Sequence, residues 1–244
     1  MKLFCSIILT IATIIGCTKK QTDTPHTAVM TPKDTTKTAA VDSLNYLALG
    51  DSYTIGEAVP YTQAYPCQLA AQLTTQKLHV KKPTIIAVTG WTTDNLISAI
   101  NQSGLIGKHY DFVTLLIGVN DQYQGLSKDN YKIKFQQVLN TAIAFANGDK
   151  TKVFVLSIPD YGVTPFAGGN DSTIGPQIDQ FNAINKSISL ASGVNYLDIT
   201  GISRQAATEL DLIAPDGLHP SGKMYAQWVQ QLAPMVVKVL GSGH

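Results

Sequence analysis

Cysteine is scarce: three occur in 244 residues, Cys5, Cys17 and Cys67. The first two fall in an N-terminal segment read below as processed, so Cys67 alone remains as a thiol. An internal disulfide framework is therefore not expected. Charge is sparse as well. Charged residues make up 14% of the chain and the formal net charge is +1, which gives no electrostatic reason for a nucleic acid or an acidic surface as partner. No group of His, Cys and carboxylates has metal-ligand spacing, and no phosphate-cradling Gly-rich loop is present. Neither a metal nor a cofactor is expected. His26, His79, His109 and His244 read as solvent-exposed. Nothing repeats internally. The long apolar run from Leu3 to Ile15 is too short to span a bilayer comfortably.

That run has another reading. Lys2 precedes it and Gly16-Cys17 follows. A basic start, a short apolar core and small residues at the cut describe a secretory signal peptide. Ile14-Ile15-Gly16-Cys17 resembles the bacterial lipobox, whose cysteine is acylated and becomes the new N-terminus. The resemblance implies a membrane partner through a lipid anchor on Cys17, in the bacterial cell envelope, periplasmic or at the outer surface. Thr18, where an Asp would favour retention at the inner membrane, weighs mildly against that location. Residues 17–43 are rich in Thr, Lys, Pro and Asp, with few large apolar groups. Such a composition cannot bury enough surface to fold and reads as a tether. The expected organisation is thus residues 1–16 signal peptide, 17–43 tether and 44–244 folded domain.

Within that domain short apolar runs alternate with helical spacing. Strands are expected at Tyr46–Leu49, Thr84–Val88, Phe112–Ile117, Val153–Ile158 and Tyr196–Ile199. Helices are expected at Gln63–Lys77, Asp94–Ile100, Asp129–Asn147, Ile178–Ala191 and Ser221–Leu240. The alternation predicts an α/β fold in three layers, α/β/α, with a five-stranded parallel sheet. In a parallel sheet all carboxyl ends of the strands share one edge, where open α/β sheets place their ligands. The first three strands end at Ser52, Gly90 and Asn120. That edge would set a hydroxyl, a backbone without a side chain and an amide side by side.

Ser52 sits in Gly50-Asp51-Ser52, a composition that suits a tight turn as well as an exposed nucleophile. The second constellation is Asp216-Gly217-Leu218-His219-Pro220. A carboxylate three residues ahead of an imidazole can curl back and accept its ring N–H, leaving the other nitrogen free to take a hydroxyl proton. Alone, the same residues also read as loop and cap, with Ser221 capping the last helix.

Taken in order, Gly-Asp-Ser, Gly90, Gly118-Val119-Asn120-Asp121 and Asp216-Gly-Leu-His219-Pro resemble the SGNH hydrolases, or GDSL esterases and lipases, across nearly all of residues 44–241. The resemblance implies a flavodoxin-like fold and hydrolysis of small acyl esters. It implies Ser52 as nucleophile, His219 as general base then acid, and Asp216 as the residue orienting His219. It implies an oxyanion hole from the Ser52 and Gly90 N–H groups and the Asn120 amide. Tyr53 stands where many members carry Leu, a change expected to affect packing or the pocket. Asp51 and Asp121 read as turn and loop formers. Tyr53, Trp91, Tyr123, Tyr161 and Phe166 lie on the expected catalytic edge, as pocket walls or as local packing. The long Pro159–Pro176 segment is the expected rim. The leading activity is an esterase or lipase, with lysophospholipid or thioester hydrolysis included. The alternatives are a carbohydrate O-acetyl esterase, a non-catalytic surface-binding lipoprotein and a flavodoxin-like nucleotide binder.

Overall fold

The computed structural model describes residues 43–241. The expected signal peptide, Cys17 and most of the tether lie outside the described residues. Five strands form one parallel sheet in the order β2-β1-β3-β4-β5. They are β1 (Tyr46–Gly50), β2 (Thr84–Ala87), β3 (Phe112–Leu116), β4 (Val153–Leu156) and β5 (Asn195–Leu197). This is the doubly wound, flavodoxin-like order, in which the connections reverse direction at the first strand. Every residue of β1, β3 and β4 is buried, as expected for strands covered on both faces.

The helices are α1 (Ser52–Ile55), α2 (Tyr65–Thr75), α3 (Thr93–Gln102), α4 (Val119–Tyr123), α5 (Lys128–Phe145), α6 (Asp171–Ser192), α7 (Thr200–Arg204) and α8 (Gly222–Leu240). α2 packs on α8. Tyr65 of α2 lies over the sheet with its hydroxyl 3.1 Å from Thr114 Oγ1, beside Trp228 of α8 at 6.1 Å between ring centroids. The series α3, α5, α6 packs in sequence against the sheet, and Tyr131 of α5 donates to the Ile117 carbonyl at 3.2 Å. Along β1 successive side chains alternate between the two helical layers. Tyr46 stacks on its register partner Phe112, 4.3 Å between centroids.

The expected strands and long helices are present, with shifts of a few residues at their ends. One segment differs more. Ile178 is the expected start of the fourth helix, and Pro159–Pro176 the loop before it. The helix begins at Asp171 and carries Pro176 inside it. A proline there removes one helical hydrogen bond, so local sequence reads as a boundary. Tertiary contacts hold the helix across it: Arg204 of α7 reaches the Gly175 carbonyl at 3.5 Å and Asp179 Oδ1 at 2.8 Å, and pairs with buried Asp160 at 2.9 Å. The rim is correspondingly shorter and contains a single 3₁₀ turn at Pro165–Ala167.

Candidate active site

The three strand ends anticipated from sequence lie together. β1 is central, with β2 and β3 as its two neighbours. Ser52 opens α1 directly after β1. Gly50 makes this tight exit possible: a Cβ there would lie 2.1 Å from Thr54 Oγ1 and 2.4 Å from the Leu116 carbonyl oxygen. Asp51 caps the short helix by accepting the Tyr53 N–H at 3.0 Å. The turn thereby presents the Ser52 side chain and its backbone N–H at the strand edge.

His219 arrives from the other end of the chain. Ala214 N–H donates to the His219 carbonyl at 2.7 Å, and Ser221 N–H to the Leu212 carbonyl at 2.8 Å. This small bridge fixes the imidazole turn just ahead of α8. Asp216 curls back within that turn. Its Oδ1 accepts the Leu218 and His219 N–H groups, each at 3.0 Å. Its Oδ2 accepts the His219 Nδ1–H at 2.6 Å. Burial opposes ionisation of this carboxyl, but the hydrogen bonds from the ring and the two N–H groups outweigh it and hold Asp216 below the usual carboxylate range. An ionised acceptor at Nδ1 leaves Nε2 as the lone-pair nitrogen. Nε2 lies 3.0 Å from Ser52 Oγ, across 167 positions of chain. Both side chains are buried.

Gly90 and Asn120 line the same cavity as Ser52 and His219. Gly90 has φ +82°, a left-handed backbone favoured by glycine. Asn120 Nδ2 donates to the Trp91 carbonyl at 3.0 Å. An amide carries two N–H bonds, so this bond orients the group while one hydrogen stays available for a ligand oxygen. Asp121 next to it accepts from Thr93 and ties the start of α3 to α4. Tyr53 packs its ring 5.3 Å from the imidazole. Tyr123, Tyr161 and Phe166 line the cavity, whereas Trp91 contributes its carbonyl only.

Sequence reading cast Asp51 as a turn former, which it is, but missed its environment. The carboxyl is fully buried, and its Oδ2 has no hydrogen-bond partner among the described residues. Desolvation pushes its pKa to about 8, partly offset by the Tyr53 N–H and reinforced by the nearby Asp121 charge. Only the tertiary cover reveals this, since Gly-Asp-Ser looks the same on a surface turn. His79 and His109 are exposed, as expected; His26 and His244 lie outside the described residues. Among the described residues no group of three or more His, Cys, Asp or Glu is placed to hold a metal ion.

The profile of the GDSL-like Lipase/Acylhydrolase family matches residues 48–227. The chain belongs to this family. As a GDSL-family member it is a carboxylic ester hydrolase. Solved structures share the fold at low identity. TesA superposes with a TM-score of 0.63 at 16% identity, covering 80% of this chain and 99% of its own. The psychrotrophic esterase EstA from Pseudoalteromonas sp. gives 0.62 at 16%, covering 82% and 100%. Axe2, an acetylxylan esterase from Geobacillus stearothermophilus, gives 0.60 at 17%, covering 82% and 96%. No curated protein matches this GDSL-family chain.

Proposed function

We propose that the protein hydrolyses short- to medium-chain acyl esters through an acyl-serine intermediate on Ser52. The observation that carries this reading is the unbroken relay from Asp216 through His219, at 2.6 Å, to Ser52, at 3.0 Å. A serine hydroxyl is a weak nucleophile until a base takes its proton. His219 Nε2 takes that proton as Oγ bonds to the ester carbonyl carbon. Asp216 stabilises the imidazolium without itself accepting the proton. Negative charge gathers on the carbonyl oxygen, which the Ser52 and Gly90 N–H groups and the Asn120 amide receive; losing one such donor typically costs about 10²–10³ in rate. The carbon–oxygen bond to the alcohol then breaks, and the imidazolium protonates the departing oxygen. Water repeats the sequence in reverse and frees Ser52. Ser52→Ala is expected to abolish p-nitrophenyl acetate hydrolysis and fluorophosphonate labelling with unchanged circular dichroism; retained turnover would overturn the assignment.

The proposal extends to location. A signal peptide over residues 1–16, acylated Cys17 and a tether over 17–43 would hold the enzyme on a membrane of the bacterial cell envelope, periplasmic or at the outer surface. The support is the basic start, apolar core and Gly16-Cys17 junction. More than one acyl chain is needed for stable anchoring. Cys17→Ser is expected to move the protein from the membrane to the soluble fraction, and persistent membrane association would count against the anchor.

A further inference from the structure

Large aromatic side chains usually find cover, and an exposed apolar patch beside a reactive group calls for an occupant. Tyr123 is 59% exposed and Phe166 is 50% exposed. Both line the cavity over Ser52. Their ring centroids are 6.2 Å apart, and both rest on buried Tyr161, at 6.1 and 6.5 Å. Tyr161 is itself pinned. Its hydroxyl donates to Gln122 Oε1 at 3.0 Å, and Gln122 Nε2 donates to Gln177 Oε1 of α6 at 2.7 Å. The Phe166 N–H donates to the Gly217 carbonyl at 3.0 Å, within the imidazole turn. The exposed rings therefore stand on a fixed base.

The direction follows from the chemistry. The departing oxygen must lie beside His219 Nε2 to receive its proton. The carbonyl oxygen must face Gly90 and Asn120. Tyr123 stands one helical turn beyond Asn120, on the same side of α4, and Gln122 of α4 braces Tyr161. Tyr123, on the helix of Asn120, thus flanks the path of the acyl group, and Phe166, tied to the imidazole turn, closes the wall from the other side. The cavity measures about 140 Å³, and among its described lining residues none is a carboxylate, lysine or arginine. An apolar cavity of ~150 Å³ is about the size that holds benzene.

Resting on the ester-hydrolase reading, we infer that Tyr123 and Phe166, backed by Tyr161, form the acyl-binding wall and select uncharged, apolar acyl groups of up to about six carbons. An acid bearing a second carboxylate finds no cation to pair with there. A chain longer than the cavity gains nothing from its outer methylenes. Each methylene that is buried raises kcat/KM about fourfold.

The test is a series of p-nitrophenyl esters: acetate, butyrate, hexanoate, decanoate and the anionic hemisuccinate. Butyrate is expected to exceed acetate about fifteenfold in kcat/KM, decanoate to be no better than hexanoate, and hemisuccinate to fall at least tenfold below butyrate. Tyr123→Ala and Phe166→Ala are each expected to lower the hexanoate-to-acetate ratio about tenfold, and Tyr123→Phe to keep it. A ratio unmoved by both alanine variants, a preference still rising at decanoate, or hemisuccinate turned over like butyrate would overturn the inference. Dependence on the alcohol and not the acid, read with butyl and hexyl acetates, would overturn it too. Fluorophosphonate labelling of Ser52 separates the two levels: labelled enzyme with the wrong chain-length profile removes the acyl wall alone, whereas unlabelled, inactive enzyme removes both readings.

Discussion

Asp121, the neighbour of Asn120, accepts the backbone N–H of Thr93 at 3.0 Å and its hydroxyl at 2.6 Å. The two residues join the start of α3, where the loop that carries Gly90 ends, to the helix that carries Asn120. Burial raises the pKa of Asp121, with the Thr93 bonds working against that shift. Asp121→Ala leaves a buried N–H and hydroxyl without an acceptor, which typically costs about 1–3 kcal/mol. It is expected to lower stability by that amount in urea unfolding and to reduce kcat more than it raises KM. Intact kcat in a folded variant would show that the proposed oxyanion donors, Gly90 and Asn120, do not depend on this joint.

Asp216 holds the imidazole turn by three hydrogen bonds. Asp216→Asn is expected to reduce kcat by about 10²–10⁴, since the amide no longer enforces the ring tautomer that leaves Nε2 without a proton. Because two of the three bonds serve the backbone, Asp216→Ala should also lower the melting temperature. Steady-state kinetics beside thermal melts separate the two effects.

The buried carboxyl of Asp51 is expected to make stability fall with rising pH. Its folded pKa of about 8 compares with about 3.9 in an unfolded chain. Between those values the folded state holds a proton that the unfolded state has released, so stability falls as pH rises through this window. Asp51→Asn removes the titrating group while keeping its shape. The variant is expected to show a flatter decline of melting temperature from pH 5 to 9, and at pH 9 to melt higher than the parent by on the order of 3 °C or more. Parallel melting curves for the two proteins would contradict a protonated Asp51.

Gly50 is the steric gate of the turn that carries Ser52. A methyl group would meet Thr54 Oγ1 at 2.1 Å and a backbone carbonyl at 2.4 Å, and the carbonyl belongs to the neighbouring strand and cannot yield. Gly50→Ala is expected to cost about 3 kcal/mol by the overpacking route. Denaturant unfolding of the variant gives the number directly; a loss under 1 kcal/mol would mean that β1 and α1 part more easily than their packing implies.

Most of the sheet was legible because its strands are buried on both faces and read as unbroken apolar runs, such as Tyr46–Leu49 and Phe112–Leu116. Ser52 and the Asp216–His219 pair were legible because each sits in a compact local block, and their order along the chain matched a known pattern. What stayed hidden depends on contacts made far along the chain. The early start of α6 rests on Arg204 reaching back across Pro176. The burial of Asp51, the Thr93 partner of Asp121 and the Trp91 partner of Asn120 all come from elements brought together by folding. Short helices such as α1 and α4 also escaped notice, since four or five residues hold too little periodicity to register.

The donors and the hydroxyl come from the ends of β1, β2 and β3, which are adjacent in the sheet, while β4 leads into the segment that ends at α6. Of the three rings proposed as the acyl wall, Tyr161 and Phe166 therefore stand on the β4 side of the platform, and Tyr123 alone shares α4 with Asn120. A new acid would be met by exchanging the Phe166 side chain, while Asp160, paired with Arg204, and Tyr161, bonded to Gln122, keep the segment in place.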